Sequence, residues 1–263
     1  TLRVSDGGTV GLGESLGKGY TLSNDELKNI NTENLDFIGN SSNDIEINSV
    51  SSLASQNIDN EFIFKSTSNN ARLSFVDGQS NFNNIDIEMS GDLDISANLK
   101  TLEGDLNIVS NSASSRQITF NGGYSLVSEN DLNITSSSNA AEFTGEFNLE
   151  AGNDINLDGD FKETGSGILA FSSNQSFTLS EGSSLSYESV EPPQGSVIAH
   201  KDNNEIEINS SEININGKID TAESFLHISP INADVDIFLG NEGEGLNLSS
   251  AEIENITTEK LYI

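Results

Sequence analysis

The chain has 263 residues, 42 of them acidic and 11 basic, for a net charge of −31, with no cysteine, no tryptophan and one methionine. So negative a chain argues against nucleic acid and anionic membrane as partners, and it suits a saline or divalent-rich medium that screens self-repulsion. The lack of cysteine excludes a disulfide scaffold and a thiolate metal site, and the lack of any apolar run of about 18 residues excludes a membrane-spanning helix.

The opening residues, TLRVSDGGTV, have neither the basic nor the apolar region of a secretory leader, so any leader is expected to have been removed or to lie far upstream. Next, Ser23-Asn24-Asp25-Glu26-Leu27-Lys28-Asn29-Ile30 predicts one short helical turn. Ser23 is the N-cap, Glu26 three residues later completes a capping box, and Leu27 and Ile30 share a face. From Ile45 onward apolar residues alternate with Asp, Asn, Ser or Glu. The words include Ile45-x-Ile47, Phe62-x-Phe64, Leu73-x-Phe75, Ile85-x-Ile87, Ile118-x-Phe120, Phe177-x-Leu179, Ile206-x-Ile208, Ile213-x-Ile215 and Val235-x-Ile237. Period-2 alternation predicts half-buried strands, and the Gly, Asn, Ser and Asp clusters between them predict turns.

Four words share the form Asp-aliphatic-Asn/Asp-aliphatic: Asp92–Ile95, Asp105–Ile108, Asp131–Ile134 and Asp154–Leu157. Like strands stacked over like strands produce such recurrence. Their starts are 13, 26 and 23 residues apart, which predicts coils of unequal length with projecting loops. Pro192-Pro193-Gln194-Gly195 predicts a protruding turn, with strand words resuming at Ser196-Val197-Ile198.

The chain closes by repeating its beginning. Residues 21–37, TLSNDELKNINTENLDF, align without a gap on residues 247–263, NLSSAEIENITTEKLYI, with eight of 17 positions identical. The offset, 247 − 21 = 226, is the period of a tandem array. The expected organisation is residues 1–19 as the run-in from a preceding repeat, 20–245 as one full repeat, and 246–263 as the start of the next. The expected fold is all-β: a right-handed parallel β-helix (β-solenoid) with irregular loops, one short helical turn per long repeat, and ten or more coils of about 20 residues. An antiparallel β-sandwich is the competing architecture, because Asp6-Gly7, Asp77-Gly78, Asn121-Gly122, Asp158-Gly159 and Asn216-Gly217 could serve hairpin turns.

The word Leu22-Ser23-x-x-Glu26-Leu27-x-x-Ile30-x-x-x-x-Leu35-x-Phe37-Ile38-Gly39 resembles a recurrent element of filamentous-haemagglutinin-like exoproteins and related giant repetitive bacterial adhesins. It returns as Leu248-Ser249-x-x-Glu252-Ile253-x-x-Ile256-x-x-x-x-Leu261-x-Ile263, and Leu12-Gly13 and Leu239-Gly240 resemble that family's run-in. The resemblance covers about 20 residues at each end. It implies a right-handed parallel β-helix, export to a bacterial or archaeal cell surface or the extracellular medium, and adhesion as the role. The family's secretion domain and its NPNG/NPNL-type words are not in this sequence.

No catalytic, cofactor-binding or metal-ligating residue is singled out, and no enzymatic activity is expected. His200 falls in a turn word and His227 on the solvent side of an alternating strand, neither with a triad around it. Arg72, Lys100 and Arg116 are the cations a lyase-like site would draw on, without the aromatic residues that stack sugars. Asp154–Asp160 is rich in oxygen ligands, but it lacks the terminal glutamate of an EF-hand; a row of solvent-facing acids is the expectation there, with loosely bound calcium the one cofactor considered. Asn residues between the aliphatics are expected to stack into hydrogen-bonded ladders. Asn-x-Ser/Thr sequons at Asn40, Asn133, Asn174, Asn209, Asn247 and Asn255 are of the number chance supplies in an Asn/Ser-rich chain. The function expected is that of a structural and adhesive segment forming a rigid stalk or extracellular filament. Its partners would be neighbouring repeats or copies of itself end to end, together with host, matrix or cell-surface glycans. The alternatives are a polysaccharide-binding or polysaccharide-cleaving β-helix module and the sandwich adhesin repeat.

Overall fold

The computed structural model describes residues 1–4, 8–15, 17–39, 44–111, 117–188, 204–240 and 243–263. Strands make up 62% of it and helix 6%, so the fold is all-β. Every strand pairing among the described residues is parallel. The antiparallel sandwich is thereby overturned. Its Asx-Gly dipeptides serve other geometry: Asp77 turns with φ 61°, and Gly159 lies within the strand Ile155–Glu163.

The pairings form three ladders. In the first, Leu2, Phe37, Phe64, Ile87, Ile108, Ile134, Leu157, Leu179 and Ile215 are successive partners. The second carries Val10, Ile45, Leu73, Leu93 and Ile118, then Ala141, Phe161, Leu185, Ile219 and Ile256. The third carries Ser80, Leu99, Leu126, Leu149, Phe171, Ile208 and Ile228. Alternation sets this up: with a side-chain period of 2, registering one apolar position per strand registers the whole inward face. From Phe37 to Ile215 every member of the first column is fully buried. Strands that serve two ladders close the sheet on itself. Ile155–Glu163, Ile168–Leu179, Glu205–Ile215, Lys218–Ser229 and Ser184–Tyr187 are joined in a ring.

Aromatic packing fills the interior. Eleven of the 13 phenylalanines are fully buried. Phe37 stacks on Phe64 at 5.1 Å, and Phe120 on Phe143 at 4.6 Å, while Phe62 and Phe82 meet edge-on at 4.7 Å. Each such side chain contributes roughly 1.5–3 kcal/mol on burial. Where a long strand bends from one ladder to the next, the register breaks, as between Ser136 and Ala141 and between Ser173 and Ser176. Buried hydroxyls answer the backbone groups the bend leaves over. Ser128 Oγ donates to Asp131 O at 2.7 Å, Ser210 Oγ donates to Glu212 O at 2.7 Å, and Ser173 and Ser210 share a hydroxyl contact at 2.8 Å.

Two expectations need correction. Successive partners in the first column from Phe37 onward are 27, 23, 21, 26, 23, 22 and 36 residues apart. The layers are therefore longer, and fewer, than the short coils expected from the sequence, because the turns between ladders carry extra polar residues. There is also more than one helical turn within residues 20–245. Asn24–Leu27 (α1) has the predicted capping box, with Ser23 and Glu26 in their assigned roles, and so does Ser250–Glu254 (α3) with Ser249 and Glu252. A further turn, Ser52–Ser55 (α2), packs against α1. Its N-cap Ser51 accepts from Ala54 N, and with alanine in place of glutamate there is no capping box to read; Leu53 points outward while Ala54 and Ser55 are buried.

The sequence repeat is also a repeat of structure. Thr9–Gly13 pairs with Tyr20–Leu22 before α1, and Ile237–Leu239 pairs with Leu246–Leu248 before α3. Gly13 and Gly240 close the two leading strands with φ of 73° and 74°. After the helices, Thr32–Gly39 and Ile256–Tyr262 each pair with an earlier strand at the same separation, as in Leu2 with Phe37 and His227 with Tyr262.

Candidate functional site: outward rows and an uncovered end

The outward positions between the aliphatics form rows with their own bonding. Asn133 Nδ2 donates to Asn107 Oδ1 and Asn156 Nδ2 to Asn133 Oδ1, both at 2.8 Å, which is the expected Asn ladder. Three of the four Asp words belong to this column: Asp105, Asp131 and Asp154 stand one layer apart. Each carboxylate accepts from the next layer, Asp131 N on Asp105 at 3.2 Å, Asp154 N on Asp131 at 3.3 Å and Ser176 N on Asp154 at 2.9 Å. The interval from Asp92 to Asp105 is not a stacking interval, since Asp92–Ser96 belongs to the second ladder. Asp158 and Asp160 take hydroxyls from Ser183 and Ser184. Each carboxylate of the Asp154–Asp160 word thus accepts a serine hydroxyl through one oxygen.

The few cations are spread. Arg72 pairs with Asp94 at 2.7 Å, Lys18 with Glu46 at 2.6 Å, and Lys65 with Glu88 at 2.7 Å and Asp86 at 3.8 Å. Burial and the carboxylate of Asp86 raise the Glu61 pKa above the ordinary carboxylate range, and burial raises that of Asp86. Lys100 stands on Leu99–Thr101, a different ladder from Arg72. Arg116, His200 and the Pro192–Gly195 word lie outside the described residues.

His227 does have company that the sequence did not disclose. Its strand lies beside Glu205–Ile215 with Glu207 opposite His227, and Nδ1 is 3.6 Å from Glu205 Oε1. One ligand atom each from Glu205, Glu207 and His227 lies within 4.8 Å of the others, all on half-buried side chains. Burial, then Glu207, raise the Glu205 pKa, opposed by His227. The histidine is remote from both acids in sequence and reaches them only through strand register. The trio is an ion pair with a second acid beside it once the imidazole is protonated.

Inside the molecule sits one anomalous acid. Glu163 occupies an inward position between Phe143 and Tyr187 in the second ladder and is 2% exposed. Oε1 accepts from Gly165 N at 2.8 Å, and Oε2 has no hydrogen-bond partner among the described residues. Burial pushes its pKa up to about 8, against the pull of the Gly165 and Gly145 amides. Alternation alone marks position 163 as inward; nothing in the sequence says that an acid there is neutral.

The feature without internal explanation is the end carrying α3. Ile256–Tyr262 pairs with Lys218–Ser229 on one side, and no strand of the described residues lies along its other side. Leu239 is 50% exposed and Ile263 43%, while their counterparts Leu12 and Phe37 are fully buried. At the opposite end, Leu2, Val10, Tyr20 and Phe37 line an apolar cleft of about 430 Å³.

Comparison with protein-family models, curated proteins and solved structures finds no match to this chain. Its own architecture is therefore what bears on function. No helix among the described residues is long and apolar enough to cross a membrane.

Proposed function

We infer that this chain is a segment of a repetitive surface protein of the filamentous-haemagglutinin-like kind. The three ladders are then the faces of a right-handed parallel β-helix, and the role is mechanical and adhesive, as a stalk or filament at the cell surface or outside it. One observation carries the reading. The run of elements that opens the chain, strand–strand–helix–strand with its capping box and its left-handed glycine, recurs near the other end with the same pairing. Repetition of a supersecondary unit at long period is how extended arrays are built, and each unit leaves an end for its neighbour to cover. The partners are neighbouring repeats or further copies, with glycans of host, matrix or cell surface as the ligands an adhesin would take.

The polysaccharide-cleaving alternative has less behind it. Sugar platforms need outward aromatic rings, whereas the phenylalanines here are nearly all spent on the core. The test is electron microscopy of a protein with several tandem repeats, with and without EDTA. Rods a few nanometres wide with one axial period per repeat support the reading, and rods that survive chelation make calcium incidental. Separate compact particles overturn it.

A further inference from the structure

The first copy of the repeated element shows what covers the second. In the first, Thr9–Gly13 is flanked by Asp44–Asn48, α1 by α2, and Thr32–Gly39 by Ile58–Ser66. One continuous stretch, residues 44–66, therefore supplies all three contacts. It buries Leu12, Leu27 and Phe37 completely. In the second copy the corresponding residues are Leu239, Ile253 and Ile263, none of which is buried.

Resting on the repeat-array reading above, we propose that the α3 end is a docking surface for the start of a following repeat, through a segment with the pattern of Asp44–Ser66. That segment adds one layer through three contacts: a strand in parallel register on Ile237–Leu239, a helical turn on α3, and a strand on Ile256–Tyr262. Register follows from the first copy. Asn34 pairs with Glu61 and Phe37 with Phe64. Lys260 and Ile263 stand at the positions of Asn34 and Phe37 in the second copy, so they take the counterparts of Glu61 and Phe64.

Three observations make the occupant this segment. The exposed residues are apolar at the positions where the first copy is apolar and covered. The exposed edge is a parallel one, and an incoming strand with Phe-x-Phe alternation presents the inward face that extends the buried columns. Gly240 is held at φ 74° although no covering backbone of the described residues approaches it; among those residues a Cβ there would meet only Ser250 Oγ, at 3.3 Å. At Gly13 a Cβ would lie 2.2 Å from Asn48 O, within the covering strand. The clearance at Gly240 is the one that the backbone of a covering strand uses at Gly13. A folded second copy of this chain cannot supply this segment, because its own residues 44–66 are committed to its own first copy.

The experiment extends the full chain after Ile263 with residues 38–66 of its own sequence, which preserves the period. A control extension carries the same residues in scrambled order. Hydrogen exchange is read by mass spectrometry for Ile256–Tyr262, with Thr32–Gly39 as the internal reference. The expected result is exchange at Ile256–Tyr262 slowed by about 100-fold or more, to the level of the reference, with the true extension alone. A disulfide between K260C and E61C of the extension, in a protein otherwise free of cysteine, then reports the register. An edge left unprotected while Thr32–Gly39 stays protected overturns the docking proposal and leaves the fold reading standing. Exchange that is fast at Thr32–Gly39 itself strikes the fold reading instead. Protection of Ile256–Tyr262 in the unextended chain, with a dimer in sedimentation, would show the edge pairing with its own kind and also overturn the proposal.

Discussion

The buried acid offers the sharpest test of the core. Glu163→Gln keeps the shape of the side chain and an oxygen for Gly165 N, and it removes only the titration. Free in the unfolded chain, Glu163 loses its proton near its ordinary 4.5; folded, it holds the proton to about 8. Between those values folding takes up a proton, so the contribution of Glu163 is fully present below about pH 4.5 and is lost as pH rises to about 8. Over the span from about pH 5.5 to 8 the loss amounts to ~3 kcal/mol, at ~1.4 kcal/mol per unit of pKa difference. Urea unfolding at fixed ionic strength, followed by far-ultraviolet circular dichroism, measures it. The native protein and the glutamine variant are expected to have similar stability near pH 5, with the variant ahead by about that amount near pH 8. Taking the difference removes the pH dependence of the other acids, which both proteins share. A gap between the two that stays constant from pH 5 to 9 would refute the assignment of a neutral, desolvated carboxyl.

Other perturbations probe the remaining layers. Phe143→Ala, which empties a position in contact with Phe120 and Phe147, is expected to cost about 3–5 kcal/mol in urea unfolding; Leu53→Ala, at a side chain 67% exposed, should stay within ~0.5 kcal/mol. Asn133→Asp removes the donor to Asn107 from the middle of the ladder. A loss of about 1–2 kcal/mol at neutral pH is expected, recovering below about pH 4 where the carboxyl again has a proton to donate. Ser23→Ala removes a cap from a covered helix and should lower global stability by ~1 kcal/mol, whereas Ser249→Ala is expected to speed amide exchange locally in α3 with little global effect. With a net charge of −31, unfolding midpoints should rise as NaCl goes from ~0.05 to ~0.5 M.

Much of the fold was legible because alternation leaves little freedom. Once Leu106-x-Ile108, Leu132-x-Ile134 and Ile155-x-Leu157 each place two apolar residues on one face, the only economical arrangement registers them, and the intervals 26 and 23 are the true layer lengths. The word at Asp92 misled because two ladders use the same vocabulary; local chemistry cannot say which face a strand belongs to. α1 and α3 were visible through Ser and Glu three apart, and α2 was not, since Ala54 stands where the glutamate would. The trio around His227 and the isolation of Glu163 Oε2 both depend on which strands, distant in sequence, become neighbours, and a pattern of period 2 carries no such information.

The unequal spacing of the column partners has a consequence for growth. Each parallel pairing advances the next strand by about 4.8 Å however much chain intervenes. On the solenoid reading proposed above, reach is therefore counted in layers, and polar residues added to the turns are lateral decoration. An insertion in a turn thickens the silhouette or alters what it displays, and it leaves the two ends at the same distance. A lineage can rewrite the flanks of such a chain freely while its yardstick stays fixed.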